Sequence, residues 1–116
     1  MIKDDCIFCK IANGKIPTNI VFENEDVMAF EDVAPMMPVH TLIVPKQHYE
    51  NIADDVPVEV LGKVFAAVKT VAEIKGVKES GFRVVVNTND DARQSVHHLH
   101  IHVLGGAKMN IGDPKA

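Results

Sequence analysis

Three histidines alternate with aliphatic residues in the stretch His98-Leu99-His100-Ile101-His102-Val103-Leu104-Gly105-Gly106. A period of two is typical of a β-strand, where successive side chains point to opposite faces. We therefore predict a strand over residues 98–104, with three imidazoles on one face and the aliphatic side chains toward the core. Alternate residues of a strand lie about 6 to 7 Å apart, so several rings can converge on a group the size of a phosphate.

Two other interpretations of this strand stay open. One is a polar strand face that happens to be rich in histidine, or core histidines bonded to backbone carbonyls, although burying three imidazoles is costly. The other is a zinc site made of the three histidines, because alternating histidines on a strand can ligate zinc.

A cysteine pair argues against the three-histidine zinc site. Cys6 and Cys9 lie three residues apart on a short predicted helix, where both thiols can reach one metal ion. A Cys-x-x-Cys pair with histidines elsewhere favours zinc over a disulfide. Two buried reduced thiols are the alternative. A thioredoxin-like redox motif is disfavoured, because the cysteines do not follow a strand.

The remaining elements follow from periodicity and turn residues. A long helix is predicted over residues 58–75, where apolar residues recur at three- and four-residue steps before Gly76. A short helix over residues 6–12 is predicted to be capped by Asp4 or Asp5. Strands are predicted over residues 20–22, 27–30, 41–44, 82–86 and 98–104, the first two as a hairpin. This pattern indicates an α+β domain built on an antiparallel sheet.

Composition limits the functional classes. The 116 residues are 47% hydrophobic and 24% charged, which predicts one domain over residues 1–116 with a buried core. No apolar run approaches the roughly 18 to 20 residues of a membrane-spanning helix. The net charge of -4 and the absence of a Lys/Arg cluster disfavour nucleic-acid binding. The acidic start lacks the pattern of a signal peptide, so we expect a cytoplasmic protein.

Together these motifs resemble the histidine triad (HIT) family, Hint branch. The resemblance is carried, in order from near residue 5 to residue 106, by Asp5-Cys6-Ile7-Phe8-Cys9-Lys10-Ile11, Ala29-Phe30-Glu31-Asp32, Pro38-Val39-His40-Thr41-Leu42-Ile43-Val44-Pro45-Lys46-Gln47-His48, Gln94-Ser95-Val96-His97 and the histidine stretch. It implies a HIT-like α+β fold, with a roughly five-stranded antiparallel sheet, one long helix and one short helix.

The resemblance also implies a nucleotide hydrolase or transferase that acts at the α-phosphate. His100 matches the family's nucleophile, which forms a nucleotidyl-imidazole intermediate. His102 matches a donor to a non-bridging phosphate oxygen, and Ser95 matches a contact to the phosphate or leaving group. Asn87 matches a position near the same phosphate, and His40 matches a residue that orients or relays protons.

A nucleoside pocket and a zinc site are implied in the same way. The pocket positions are Ile7, Phe8, Ile11, Phe30, Asp32, Val33 and Leu42, with the Asp32 carboxylate on the ribose hydroxyls. Without the resemblance, Phe30 would be assigned to the core and Asp32 to a turn. The structural zinc ligands are Cys6, Cys9, His48 and His98. His97 matches no family ligand.

The implied reaction is hydrolysis of adenosine 5′-phosphoramidates to AMP by a homodimer, paired through the long helix and the edge strand at residues 81–87. The alternatives are a dinucleoside polyphosphate hydrolase and a zinc-stabilised nucleotide-binding or interaction protein.

Two features depart from the family. Arg93 stands where relatives usually have a small residue, and residues 107–116 lack the usual aromatic, proline-rich ending. The leaving group is therefore the least determined part of the implied substrate.

Overall fold

The predicted α+β fold is confirmed in the structure, a computed structural model that describes residues 2–109. The elements, in chain order, are α1 (Ile7–Ala12), β1 (Ile20–Glu23), β2 (Val27–Glu31), β3 (Val39–Pro45), α2 (Val58–Ile74), β4 (Phe82–Val85), a 3-10 turn (Asp90–Ala92) and β5 (Ile101–Gly105). Residues 110–116, which make up most of the atypical tail, lie outside the described part. Between residues 2 and 109, no helix is long and apolar enough to span a bilayer.

One antiparallel sheet organises the chain. Its strand order is β1-β2-β3-β5-β4, so the histidine strand β5 lies between β3 and β4. The register aligns Phe30 of β2 with Leu42 of β3, and Leu42 with His102 of β5. Residues aligned across neighbouring strands share a face. An aromatic, an aliphatic and an imidazole side chain therefore form one row across the sheet.

Each face of the sheet is covered by one helix. On the α2 face the buried cluster comprises Val27, Ala29, Ile43, Val64, Ala67, Val71, Ile101 and Val103. On the α1 face it comprises Cys6, Phe8, Cys9, Ile11, Ala12, Met28, Phe30, Leu42 and Val44. The alternation along β2, β3 and β5 thus places aliphatic side chains under α2. The histidines are left on the α1 side.

The cap of α1 differs from the prediction. Cys6 is the N-cap, with Sγ accepting from the Cys9 backbone N–H at 3.4 Å, and the helix begins one residue later. The predicted cap at Asp4 or Asp5 is therefore wrong. A thiol takes the place usually held by a hydroxyl or carboxylate. The end of α2 agrees with the prediction, since Gly76 follows the helix with a positive φ of 74°.

The histidine strand is shorter than predicted. Its ladder with β3 runs only from Gly105 to Ile101, so residues 98–100 precede the strand. The Leu99 N–H instead donates to the Tyr49 carbonyl at 2.7 Å, beyond the end of β3. The segment keeps its alternation without a partner strand: hydrogen bonds hold the His98 and His100 rings, and Leu99 is buried.

Candidate active site and metal centre

Two cysteines and two histidines meet beneath α1. The Sγ atoms of Cys6 and Cys9 and one ring nitrogen each of His48 and His98 all lie within 4.8 Å of one another. His98 Nδ1 is 3.3 Å from Cys6 Sγ and 3.4 Å from Cys9 Sγ. His48 Nδ1 is 3.3 Å from Cys9 Sγ. Two sulfurs and two imidazole nitrogens form a closed donor set of the kind that holds structural zinc.

The other ring nitrogens show that this set fits a metal. His98 Nε2 lies 2.8 Å from the Pro45 carbonyl oxygen, and His48 Nε2 lies 2.7 Å from Glu50 Oε2. Both partners only accept, so in the neutral rings Nε2 carries the proton and Nδ1 keeps its lone pair. Metal-binding histidines are typically oriented by such donation from the second nitrogen.

Burial shifts the pKa of two groups in this cluster. It lowers the pKa of His98 to about 4 and raises the pKa of the Cys9 thiol. His98 is therefore neutral at pH 7, as a metal ligand must be. A bound cation would supply the charge that stabilises the two thiolates.

His100 is held with one nitrogen available. Its Nδ1 donates to the His98 carbonyl oxygen at 2.7 Å. The Phe8 ring packs edge-on against the imidazole, with centroids 5.1 Å apart and planes at 89°. Burial lowers the pKa of His100 below its ordinary value, so the ring is neutral at pH 7. Its Nε2 therefore carries a lone pair, as a nucleophile requires.

His102 has the opposite arrangement of ring nitrogens: its Nδ1 accepts and its Nε2 carries the proton. The Met36 backbone N–H donates to His40 Nδ1 at 3.0 Å, so the proton of neutral His40 is on Nε2. That Nε2 donates to His102 Nδ1 at 2.9 Å, which places the proton of His102 on its own Nε2. Within residues 2–109, His102 Nε2 is the buried side-chain nitrogen or oxygen found without a hydrogen-bond partner. A buried N–H without a partner is costly unless a ligand accepts from it.

The neutral state of this pair is supported by its surroundings. Burial lowers the pKa of His102 to about 4, with further lowering from His100 and His40. Burial also lowers the pKa of His40. At pH 7 each ring therefore holds one proton, as the hydrogen-bond assignment requires. The ring centroids of His100 and His102 are 5.0 Å apart. The ring with a lone pair on Nε2, His100, is therefore adjacent to the ring with an N–H donor at Nε2, His102.

A second group of possible ligands, Asp32, His40 and His102, is better explained by hydrogen bonding than by a metal. A metal on His40 Nε2 would require the ring proton on Nδ1, where the Met36 N–H already donates. Neither candidate metal group in the described residues unites the three alternating histidines. The structure therefore gives no support to the three-histidine zinc site.

Known proteins are similar to this chain in sequence. The family model for the HIT domain matches residues 13–109. The chain belongs to the histidine triad (HIT) family. It is 40% identical over 108 residues to Adenylylsulfatase HINT1 of Arabidopsis thaliana, covering 90% of this chain and 73% of the relative. It is 39% identical over 110 residues to a 14 kDa zinc-binding protein of Brassica juncea, covering 91% and 96%.

A solved structure agrees with these sequence matches. A histidine triad protein from Clostridium difficile superposes with a TM-score of 0.89 at 42% identity, covering 95% of this HIT chain and 97% of that chain. The family and its relatives support nucleotide hydrolysis as the general class of activity.

The predicted nucleoside residues of this HIT protein lie mostly beside the histidines. Phe8 and Phe30 make an edge-to-face contact at 5.5 Å, in the cluster that also buries Ile11 and Leu42. The side chain of Asp32 is mostly buried, 3.3 Å from His40. Ile7 and Val33 are different, because 49% and 96% of their surface is exposed.

Ser95 lies in a loop whose conformation could not be predicted from the sequence. The buried Gln94 carboxamide donates to the Glu50 and Val96 carbonyls at 2.8 and 3.0 Å and accepts from the Asn89 N–H at 2.9 Å. These bonds fix the backbone on which Ser95 stands exposed. The roles of Gln94 and Glu50 were not predicted from the sequence. Glu50 could have been identified, because an acidic residue two positions after the predicted ligand His48 can accept from its ring.

The other predicted residues of this loop are less enclosed. Asn87 is half-buried just after β4, and His97 is exposed. Arg93 is exposed and has φ 60° and ψ 41°, the left-handed region, and Asn89 also has a positive φ of 62°. Such values are uncommon for residues other than glycine. The loop that carries Ser95 therefore holds two strained positions.

Proposed function

We propose that this HIT protein hydrolyses adenosine 5′-phosphoramidates to AMP through an adenylyl group carried on His100. The observation that carries the proposal is the pairing of opposite ring polarities. His100 offers a lone pair on Nε2, and the adjacent His102 offers a buried N–H without a partner. A phosphoryl group needs this combination, since attack at phosphorus increases charge on the non-bridging oxygens.

In the first step, His100 Nε2 forms a bond to the α-phosphorus while the P–N bond of the substrate breaks. The electron pair of that bond goes to the leaving nitrogen, which takes a proton through the water-exposed Ser95 hydroxyl. His102 Nε2–H donates to a non-bridging oxygen throughout. Because this N–H has no protein partner to release first, little reorganisation is needed.

In the second step, a water oxygen attacks the same phosphorus. The bond from phosphorus to His100 breaks, its electron pair returns to Nε2, and the proton of the water leaves to solvent. AMP is the product. Dividing one displacement into two through a covalent intermediate is the advantage of a nucleophilic side chain.

The proposed purine nucleoside site uses the α1 face of the sheet. Phe8, Phe30 and Leu42 provide its buried floor, while Ile7 and Val33 provide exposed apolar edges. The Asp32 carboxylate is available to accept from ribose hydroxyls. Ile11, buried in the same cluster, completes this floor, and Asn87 contributes near the phosphate.

We further propose that zinc occupies the Cys6, Cys9, His48 and His98 cluster, as the name of the Brassica relative supports. Bound there, the metal would crosslink α1 to the segment that enters β5 and would have no direct part in the reaction. Reduced thiols of this kind suit the cytoplasm.

A homodimer is the proposed assembly. β4 lies at the edge of the sheet, next to β5, and an exposed edge is usually paired, covered or blocked. Pairing of residues 81–87 with their copy would continue the sheet across a two-fold axis. Light scattering should then give twice the chain mass of 12.7 kDa. A mass of 12.7 kDa at micromolar concentration would contradict the dimer.

Phosphorus NMR with competing substrates tests the proposed reaction. Adenosine phosphoramidate, adenylyl sulfate and a diadenosine polyphosphate are mixed with the protein in equal amounts. The phosphoramidate signal should decay first and the AMP signal should grow. The second candidate function is hydrolysis of adenylyl sulfate, the activity named for the Arabidopsis relative. It would be favoured if the adenylyl sulfate signal decayed first. Tight AMP binding by calorimetry with no decay of any signal would indicate a binding protein instead.

A further inference from the structure

Asp32 touches the histidine pair that faces the proposed phosphate position. Its Oδ2 lies 3.3 Å from His40 Nε2, the same atom that donates to His102 Nδ1 at 2.9 Å. The N–H of His40 is directed at His102, so the carboxylate acts on His40 mainly through its charge. His40 Nε2 therefore lies between the Asp32 carboxylate and the His102 imidazole, whose own Nε2–H has no protein partner.

The position of this carboxylate is fixed. Asp32 Oδ1 accepts from the Ala34 N–H at 2.8 Å, and the Asp32 N–H donates to the His40 carbonyl at 3.0 Å. The side chain of Asp32 is 19% exposed, whereas that of His40 is 2% exposed. A ligand can therefore contact Asp32 from the solvent side. The His40 ring, which Asp32 contacts, is too buried for a ligand to reach directly.

We propose that Asp32 couples recognition of the ribose to the chemistry at phosphorus, through His40 and His102. This inference rests on the proposed function and deepens it. Asp32 is then a positioning residue for the reaction as well as a binding residue. The ribose diol would influence the rate of the chemical step, in addition to the affinity.

The coupling follows from the polarity of the chain of hydrogen bonds. A free carboxylate beside His40 attracts the Nε2 proton and weakens its donation to His102. Ribose hydroxyls that donate to Asp32 withdraw part of that negative charge, so the His40 proton is shared more fully with His102 Nδ1. Hydrogen bonds in series polarise one another, and a stronger bond at Nδ1 makes Nε2–H a stronger donor.

The simpler alternative is that Asp32 only binds the ribose. Uniform binding contributes equally to the bound substrate and the transition state, so its loss raises KM and leaves kcat unchanged. Coupling through His102 acts on the transition state and changes kcat. The two explanations are therefore separated by which kinetic constant responds.

The kinetic experiment compares adenosine 5′-phosphoramidate with its 2′,3′-dideoxy analogue. For the wild-type protein, kcat should be roughly tenfold higher with the ribose substrate, the effect of one altered charge-assisted hydrogen bond. In Asp32→Asn the ratio of the two kcat values should fall to about one, because the amide has no charge for the hydroxyls to withdraw. Glu31→Gln is the control, since that neighbouring carboxylate bonds to Thr41 and Lys75, and it should keep the tenfold ratio.

Nitrogen-15 NMR of the histidine rings tests the same coupling without turnover. Adenosine, which has no phosphate, should shift the His102 Nδ1 signal more than 2′,3′-dideoxyadenosine does. Asp32→Asn should abolish this difference, and Glu31→Gln should retain it. Both nucleosides carry the same base, so ring-current effects are common to the two spectra.

Three outcomes are decisive. Equal wild-type kcat values with a difference only in KM would overturn the coupling, as would equal His102 shifts with the two nucleosides. A kcat ratio that stays near tenfold in Asp32→Asn would also overturn it. If the wild-type protein does not hydrolyse the phosphoramidate, the proposed function fails. The NMR comparison then still decides the coupling.

Discussion

The Nδ1 atom of His100 lies 2.7 Å from the carbonyl oxygen of His98. The orientation of the proposed nucleophile is thus set by the main chain of a residue whose own ring belongs to the Cys/His cluster. His98 is in turn fixed by the sulfurs of Cys6 and Cys9 and by the Pro45 carbonyl. A change in the Cys/His cluster should therefore alter the position of His100, although none of the cluster residues takes part in the proposed reaction.

The first prediction concerns the metal. Elemental analysis should find about one zinc per chain, and Cys6→Ser should lose it. Melting temperature and kcat should then fall together, the former by roughly 10 °C, because metal binding contributes to folding stability. His97→Ala is the matched control, as it alters the exposed neighbour of His98 and should keep the metal. Metal-free wild-type protein with full stability would indicate two structural thiols instead.

The second prediction concerns the orientation of His48. Its Nε2 lies 2.7 Å from Glu50 Oε2, and this contact leaves Nδ1 toward the sulfurs. Glu50→Gln should weaken zinc affinity by about 10- to 100-fold, the usual effect of removing an outer partner of a metal ligand. The affinity is measured by competition with a chromophoric chelator. Glu79→Gln, a remote change of the same charge, should have no effect, and equal affinities of the two variants would contradict the assignment.

The third prediction concerns stability in acid. In the unfolded chain His102 takes up a proton below about pH 6.5, whereas burial lowers its folded pKa to about 4. Because only the unfolded chain takes up this proton in that range, acid favours unfolding. The contribution of neutral His102 to the free energy of unfolding is therefore complete above pH 6.5 and is lost as the pH falls toward 4. Between pH 7 and 5 the wild-type protein should lose on the order of 1 kcal/mol more than His102→Gln. Urea unfolding at the two pH values measures this difference, and parallel losses would contradict the lowered pKa.

The fourth prediction concerns the strained loop before Ser95. A residue with a side chain at the φ of Arg93 costs about 1 kcal/mol relative to glycine. Arg93→Gly should therefore raise the free energy of unfolding by up to about 1 kcal/mol, as measured in urea. Arg93→Ala retains the Cβ atom and should give no such gain. A gain of equal size with alanine would mean that the arginine side chain, not the backbone, is unfavourable.

The sequence predicted those parts of the fold that depend on local pattern. The hairpin of β1 and β2 and the long helix α2 are confirmed within about one residue, because alternation and three- to four-residue spacing arise from neighbouring residues. The start of β5 was misplaced, because it depends on where the partner strand β3 ends. The thiol cap of α1 was missed for a similar reason, since Cys6 is held by residues distant in sequence.

The candidate site could be predicted from the sequence only in part. The alternation of His98, His100 and His102 was visible in the sequence, and the resemblance supplied the proposed roles. The protonation pattern could not be predicted, because it depends on the Met36 amide and the Pro45 carbonyl. These backbone groups reach the rings only after the strands align, and no side-chain pattern marks them.

Trapping the covalent intermediate tests the central claim most directly. The protein is mixed with adenosine phosphoramidate for less than one turnover and quenched in base, because a bond between phosphorus and imidazole is labile in acid. Peptide mass spectrometry should then find one adenylyl group, located on His100. An adenylyl group on another residue, or none while AMP accumulates, would contradict the assignment of His100 as the nucleophile.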